Sequence, residues 1–391
     1  MQIVYAQEAL PSKITKTVFL AGPTPRHQKT RSWRPDALKL LEEAGFDGHV
    51  FVPEGRDGKF GDYTKQIEWE QRALNASDVI LFWIPRKVRV MPGFTTNNEF
   101  GIWSTLDPAR VFLGAPKGAP HTNYQFKVAE QNDIPSFRKL DELCQAVVKH
   151  LGAGAEREAG ACKVPLHVWK AASFQAWYQA QTKAGIQLHD ATVKFIFRPV
   201  PKFVLFWALK VDMYIPSENR HKTNEVVISR PDVCLTVAWH RPKDAEPQDT
   251  LFALIREYRT PAVSEDAFAW ENPGGSSFKP GKDPKQTAAD ELKEELGLEF
   301  DAARVKVHCA RQVASTLSAH RSHVYSVELT AEEIASLQKQ EADGATFGNA
   351  DETEKTYPRV RSLKQIRDGR FADWSTIGIV TTVLFDCGVL K

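Results

Sequence analysis

Asp78-Val79-Ile80-Leu81-Phe82-Trp83-Ile84 is a near-continuous apolar run, the pattern of a strand buried on both faces. Val18-Phe19-Leu20-Ala21-Gly22 upstream is a second such run, and it ends in Gly-Pro. Helical spacing separates the two. Pro35 to Ala44 carries Leu38 and Leu41 and stops at Gly45, and Tyr63 to Ala76 carries Ile67 and Leu74 on one face. His49 to Pro53 and Arg110 to Leu113 read as further strands, a helix begins near Asn98, and another spans Asp141 to Leu151. Repeated β-α-β units predict an α/β fold: a doubly wound parallel sheet with ligands at the carboxyl ends of its strands.

The pattern changes after residue 152. Gly152 to Gly160 is rich in Gly and Ala, which predicts a linker over 153–164 between domains 1–152 and 165–391. His167 to Ala184 is helical in spacing. Strand formers then fill 191–197, 203–215, 225–229, 233–240 and 250–258. Helices at Pro284 to Leu296 and Ser375 to Phe385 complete a mixed α+β domain.

The chain has 391 residues and a net charge of +2, which argues against a strongly electrostatic nucleic-acid or membrane-surface binder. The longest apolar run, Phe203 to Leu209, is seven residues, far short of the roughly 20 of a membrane span. Met1 to Lys16 has no apolar core of a signal peptide. Five scattered cysteines fit reduced thiols and a cytoplasmic protein.

Asn98-Glu99-Phe100-Gly101 follows the buried strand. Asn98 is a good helix cap. That would put Glu99 in the first turn, where the helix dipole favours its ionised form. Such a carboxylate suits nucleophilic attack on an anomeric carbon; a plain helix start is the simpler reading. Together with Phe19-Leu20-Ala21-Gly22-Pro23 and Glu70, eight residues before Asp78, this motif resembles the nucleoside 2-deoxyribosyltransferase family over roughly residues 16–150. The resemblance implies a deoxyribosyltransferase or flavodoxin-like fold, Glu99 as the nucleophile and Glu70 as its partner carboxylate, with Glu68 a neighbouring competitor. Gly22 and Asn98 would lie against substrate. Arg26, or alternatively Arg31 or Arg34, could meet a 5′-phosphate. Trp33, Trp69 and Trp83 could stack on a base or simply pack.

Ala288, Leu292 and Leu296 recur every four residues, and Glu291, Glu294 and Glu295 share a neighbouring helical face. Like charges at that spacing repel, so the face is either solvated or bound to a hard cation such as Mg²⁺ or Mn²⁺. With Trp270-Glu271-Asn272-Pro273-Gly274-Gly275 upstream, Glu291-Leu292-Lys293-Glu294-Glu295-Leu296-Gly297-Leu298 resembles a Nudix box. The family's Glu–Arg brace is replaced by Lys282 and Asp290, with both signs reversed. The resemblance implies a Nudix fold and metal-assisted hydrolysis of a nucleoside-diphosphate-linked substrate, with Glu291, Glu294 and Glu295 holding metal and Glu295 catalytic. Arg256 and Arg259 resemble substrate-binding residues of ADP-ribose-type members, and Glu352 or Glu354 their acidic loop.

The combined expectation is a bifunctional nucleotide-processing enzyme: an N-glycosidase or transferase joined to a Nudix hydrolase. Two alternatives are an enzyme acting on NAD or ADP-ribose, and an inactive Nudix module that senses nucleotides and regulates its neighbour. The partners expected are a small nucleotide substrate and, at most, a second copy of the chain.

Overall fold

The computed structural model describes residues 1–26, 29–56, 62–200, 203–276, 283–348 and 354–391. They divide into two compact units, Met1–Arg230 and Pro231–Lys391.

The first unit runs β1 (Gln2–Tyr5), β2 (Lys13–Ile14), β3 (Thr17–Ala21), α1 (Arg34–Glu43), β4 (His49–Val52), α2 (Tyr63–Ala76), β5 (Val79–Trp83), α3 (Phe94–Leu106), β6 (Val111–Gly114), α4 (Asn123–Gln131), β7 (Ser136–Phe137) and α5 (Leu140–Leu151). A parallel sheet forms in the order β1-β4-β3-β5-β6-β7. Apart from the added β1, this order is consistent with a flavodoxin-like fold. Its strands are apolar throughout because both faces are covered. Phe19, Ile80 and Phe82 pack on α2 and α3 through Trp69 and Phe100, while Val18, Leu20 and Leu81 pack on α1 and α5 through Leu41 and Val147.

The chain continues through β8 (Arg157–Glu158), α6 (Leu166–Trp169), α7 (Ala172–Lys183), β9 (Gln187–Phe197), β10 (Phe206–Ile215) and β11 (Arg220–Ser229). The last three form an antiparallel sheet over Phe174 and Trp207. The division between units therefore falls at Arg230/Pro231 and not over 153–164. That segment is fixed in place: β8 pairs with β2, and the fully buried Arg157 guanidinium binds both oxygens of Asp78, at 2.7 and 2.6 Å. Asp78 also accepts from the Thr17 and Leu166 amides. A buried, bidentate, fully bonded ion pair is a rigid tie, so a Gly/Ala-rich composition misleads here.

The second unit contains β12 (Val233–His240), β13 (Leu251–Tyr258), β14 (Phe268–Glu271), β15 (Gly274–Ser276), α8 (Pro284–Leu296), β16 (Lys306–Gln312), β17 (Arg321–Glu328), α9 (Ala331–Ala342), β18 (Thr356–Ser362), α10 (Leu363–Asp368) and α11 (Trp374–Asp386). Its sheet is mixed, with β12 and β17 parallel and other pairings antiparallel. Ala253 and Ile255 pack on α8 and α9, while Phe252 and Leu254 pack on α10 and α11. The strand alternation thus sorts residues between two helical layers. Among the described residues no helix is long and apolar enough to cross a membrane, and all five cysteines are free thiols.

Candidate active sites in the two units

In the first unit the chain leaves β3 through Gly22, at φ 155°. A Cβ there would clash with the Trp83 carbonyl oxygen and lie 2.7 Å from the Trp33 ring. Gly22→Ala is expected to destabilise the protein by at least about 3 kcal/mol, read as a fall in the urea unfolding midpoint.

The turn is held by Arg34, buried at the start of α1. Its guanidinium donates to the carbonyls of Leu20 (3.0 Å) and Gly22 (2.7 Å), to Thr24 Oγ1 (3.0 Å) and to Glu54 Oε1 (2.5 Å). With those four acceptors filled, Arg34 is not a ready phosphate ligand. Arg31 pairs with Asp36 at the surface. Arg26 is exposed, its guanidinium 5.3 Å from the Phe94 ring centre. Trp33, Trp69 and Trp83 are all core residues; the first two donate to the carbonyls of Pro23 (3.1 Å) and Glu8 (2.7 Å).

Glu70 is partly buried on α2 and accepts from Gln66 Nε2 at 2.7 Å, whereas Glu68 is exposed. Glu99 is partly buried on α3. The helix starts earlier than the sequence suggested. Gly93 adopts the left-handed conformation as its N-cap, Phe94 is its first residue, and Asn98 lies exposed inside it. Glu99 therefore sits in the second turn, where the dipole favours its charge little. Burial, then the neighbouring Glu70 charge, push the Glu99 carboxyl up to about 7, with Arg34 pulling it back. Burial also raises Glu70, against the Gln66 hydrogen bond and Arg34. Two carboxyl groups and one guanidinium thus share a site at the carboxyl ends of β3 and β5. Glu54 is the residue that sequence reasoning missed, and Arg34, offered there as an alternative phosphate ligand, braces the turn instead; a buried ion pair leaves no signal in periodicity.

In the second unit α8 buries Ala288, Leu292 and Leu296 as the spacing predicts. Glu295 is 2% exposed and accepts from the Gly274 amide at 2.8 Å. Burial first, then Glu291, Glu354 and Glu257, hold its carboxyl well above the usual range. The Glu291 carboxyl carbon lies 2.9 Å from where a Gly275 Cβ would stand, so the glycine makes room for that carboxylate. Glu257 is buried on the α8 side. Its Oε2 has no hydrogen bond of good geometry, only a charge contact with Arg259 at 2.8 Å. Arg259 also binds Glu271 through two nitrogens.

Not every predicted residue converges. The Glu294 side chain is exposed. Arg256 projects to the other face of β13, stacked at 3.6 Å on Phe268 and paired with Asp266. Asp290 accepts from Gln286, and Lys282, Asp351 and Glu352 lie outside the described residues. Among the described residues, no three His, Cys, Asp or Glu side chains are close enough to hold a metal as they stand.

Part of the first unit also resembles a known family. Residues 15–119 match the family model described as nucleoside 2-deoxyribosyltransferase like. The match spans β3 to the turn after β6 and includes Gly22, Arg34, Glu70 and Glu99. It does not extend into Pro231–Lys391. No curated protein matches the chain.

Proposed function

We propose that the protein processes nucleotides at two sites, one in each unit. In the first, a Glu99 oxygen attacks C1′ of a nucleoside or nucleotide through an oxocarbenium-like transition state. The C1′–N bond breaks, the departing base takes its proton from solvent, and the Glu70 carboxylate, held by Gln66, orients the sugar and steadies the oxocarbenium charge. Water then hydrolyses the glycosyl ester, or a second base attacks it and completes a transfer. The observation that carries this reading is the coupled pair Glu70/Glu99 beside Arg34, inside a segment that resembles deoxyribosyltransferases.

The pair predicts a pH response. The nucleophile must be ionised, so base release should rise as pH increases through about 7. Glu70 raises the Glu99 carboxyl, so Glu70→Gln should move that limb of the profile to lower pH while reducing the maximum rate. A limb that stays in place in Glu70→Gln would remove the coupling from the mechanism.

In the second unit we read a Nudix-like hydrolase of diphosphate-linked nucleotides. A divalent cation fits the residues present: the Glu295, Glu291, Glu257 and Glu354 charges repel one another, the Glu257 oxygen lacks a hydrogen bond, and Gly275 leaves space beside Glu291. Glu291 and Glu295 would hold the ion, with Glu294 reaching in from the exposed face. The ion would supply charge neutralisation at phosphate and activation of water. Exposure of Glu294 favours one rival, in which this unit binds nucleotide without turning it over. Arg259 beside Glu257 and Glu271 is compatible with ADP-ribose-like substrates; Arg256, on the opposite face, is not part of that argument.

One mass-spectrometric screen tests both halves. Nucleosides, nucleoside mono- and triphosphates, NAD and ADP-ribose are incubated with the protein, with and without Mg²⁺. Free base formed without metal, and monophosphate formed only with it, are the expected products. Base release with no metal-dependent hydrolysis would leave the second unit as a binding module.

A further inference from the structure

The second unit has a cleft of about 410 Å³ that opens beside the acidic site. Arg259 and Glu271 belong to its wall, and the same Arg259 contacts Glu257 at 2.8 Å. The cleft thus begins where the carboxylate cluster ends.

Its other walls differ in chemistry from that cluster. Phe268, Phe371, Val263 and Arg370 line it. Phe371 is the end of a stack: its ring lies 4.9 Å from Trp270 at 26°, and the Arg361 guanidinium covers Trp270 at 4.9 Å. The Trp270 amide donates to the Phe371 carbonyl at 2.9 Å, which fixes the ring's backbone. Trp270 does not line the cleft, so of the two stacked rings Phe371 is the one that belongs to its wall. Val263 is fully exposed at the rim, and Arg370 has no ion pair among the described residues. A rigid aromatic platform, an apolar rim and an exposed guanidinium together suit a flat, hydrogen-bonding aromatic ring.

We propose that this cleft binds the nucleobase of the second unit's substrate, stacked on Phe371 with Arg370 at its edge, while the diphosphate reaches the carboxylates past Arg259. The proposal rests on the diphosphate-hydrolase reading for the identity of the neighbouring site. It restricts the substrate class to nucleotides and leaves out diphosphates that carry no base.

The probe is 8-azido-ADP, photo-crosslinked to the full-length protein and mapped by peptide mass spectrometry. The expected label falls within 259–271 or 370–374. It should fall about tenfold in Phe371→Ala and recover in Phe371→Tyr, which keeps the platform. Arg370→Ala, at an exposed position, gives an independent reduction with less risk to folding. Label confined to the first unit, or label in the cleft that neither Phe371→Ala nor Arg370→Ala reduces, overturns the proposal. The result stands apart from catalysis. Label in the cleft without metal-dependent hydrolysis would support the base site and sink the hydrolase reading. Hydrolysis with label elsewhere would do the reverse.

Discussion

Glu99→Gln is expected to abolish base release and, at the same time, to stabilise the first unit at alkaline pH. The catalytic half is direct: an amide cannot form the glycosyl ester, so the rate should fall by at least about a thousandfold. The stability half follows from linkage. In the folded protein the Glu99 carboxyl is pushed from 4.5 up to about 7. Between those values the folded chain holds a proton that the unfolded chain has released, so stability declines as pH rises. The loss is complete above about 7. A shift of this size corresponds to at most about 3 kcal/mol. Gln carries no charge and escapes the loss. Urea unfolding of the two proteins should therefore give similar midpoints near pH 5 and a higher midpoint for Glu99→Gln at pH 8. Equal midpoints at both values would mean that Glu99 is solvated and that its nucleophilic role needs another rationale.

What the sequence disclosed, and what it hid, follows from the range of the interactions involved. Strands β3 and β5 are legible because burial on both faces demands uninterrupted apolar residues, a purely local pattern. Helix α8 is legible because Asp283 caps it, Gly297 ends it and Ala288, Leu292 and Leu296 repeat in phase. Asn98 misleads because a good capping side chain is no proof of a cap. Gly93, free to take a positive φ, starts the helix five residues earlier, and that choice removes Glu99 from the dipole. The proposed linker fails for a different reason. Its composition is that of a loop, yet Arg157 within it closes onto Asp78, 79 residues away in sequence. The bracing role of Arg34, which the sequence offered only as a phosphate ligand, is hidden likewise: its partners at Leu20, Gly22, Thr24 and Glu54 are brought together only by the fold. The fate of Arg256 was readable from alternation alone once β13 was placed, since it falls on the face of Phe252 and Leu254.

Glu295→Gln tests the second unit with less ambiguity than any larger change. The amide has the shape of the carboxylate and can still accept from the Gly274 amide, now at 2.8 Å. What it removes is one charge from a group in which Glu291, Glu354 and Glu257 all raise Glu295. Without added metal, the variant should therefore unfold at a higher temperature than the wild type. Mg²⁺ should reverse the order. An ion that binds only the folded wild type contributes about 2.7 kcal/mol at a hundredfold excess over its Kd, and the variant, short of one anionic ligand, should respond little. Metal-dependent monophosphate release should fall at least about a hundredfold in the same variant. The two readouts separate the rival readings. A wild type stabilised by Mg²⁺ and hydrolytically active, with both properties lost in Glu295→Gln, is a metallohydrolase. A wild type indifferent to Mg²⁺ and inactive, in which Glu295→Gln raises stability and nothing else, has kept the repulsion of a cation site without its use. The repulsion would then point to nucleotide sensing through the neighbouring cleft, because a buried, uncompensated carboxylate costs stability that a bound cationic or hydrogen-bonding ligand would offset.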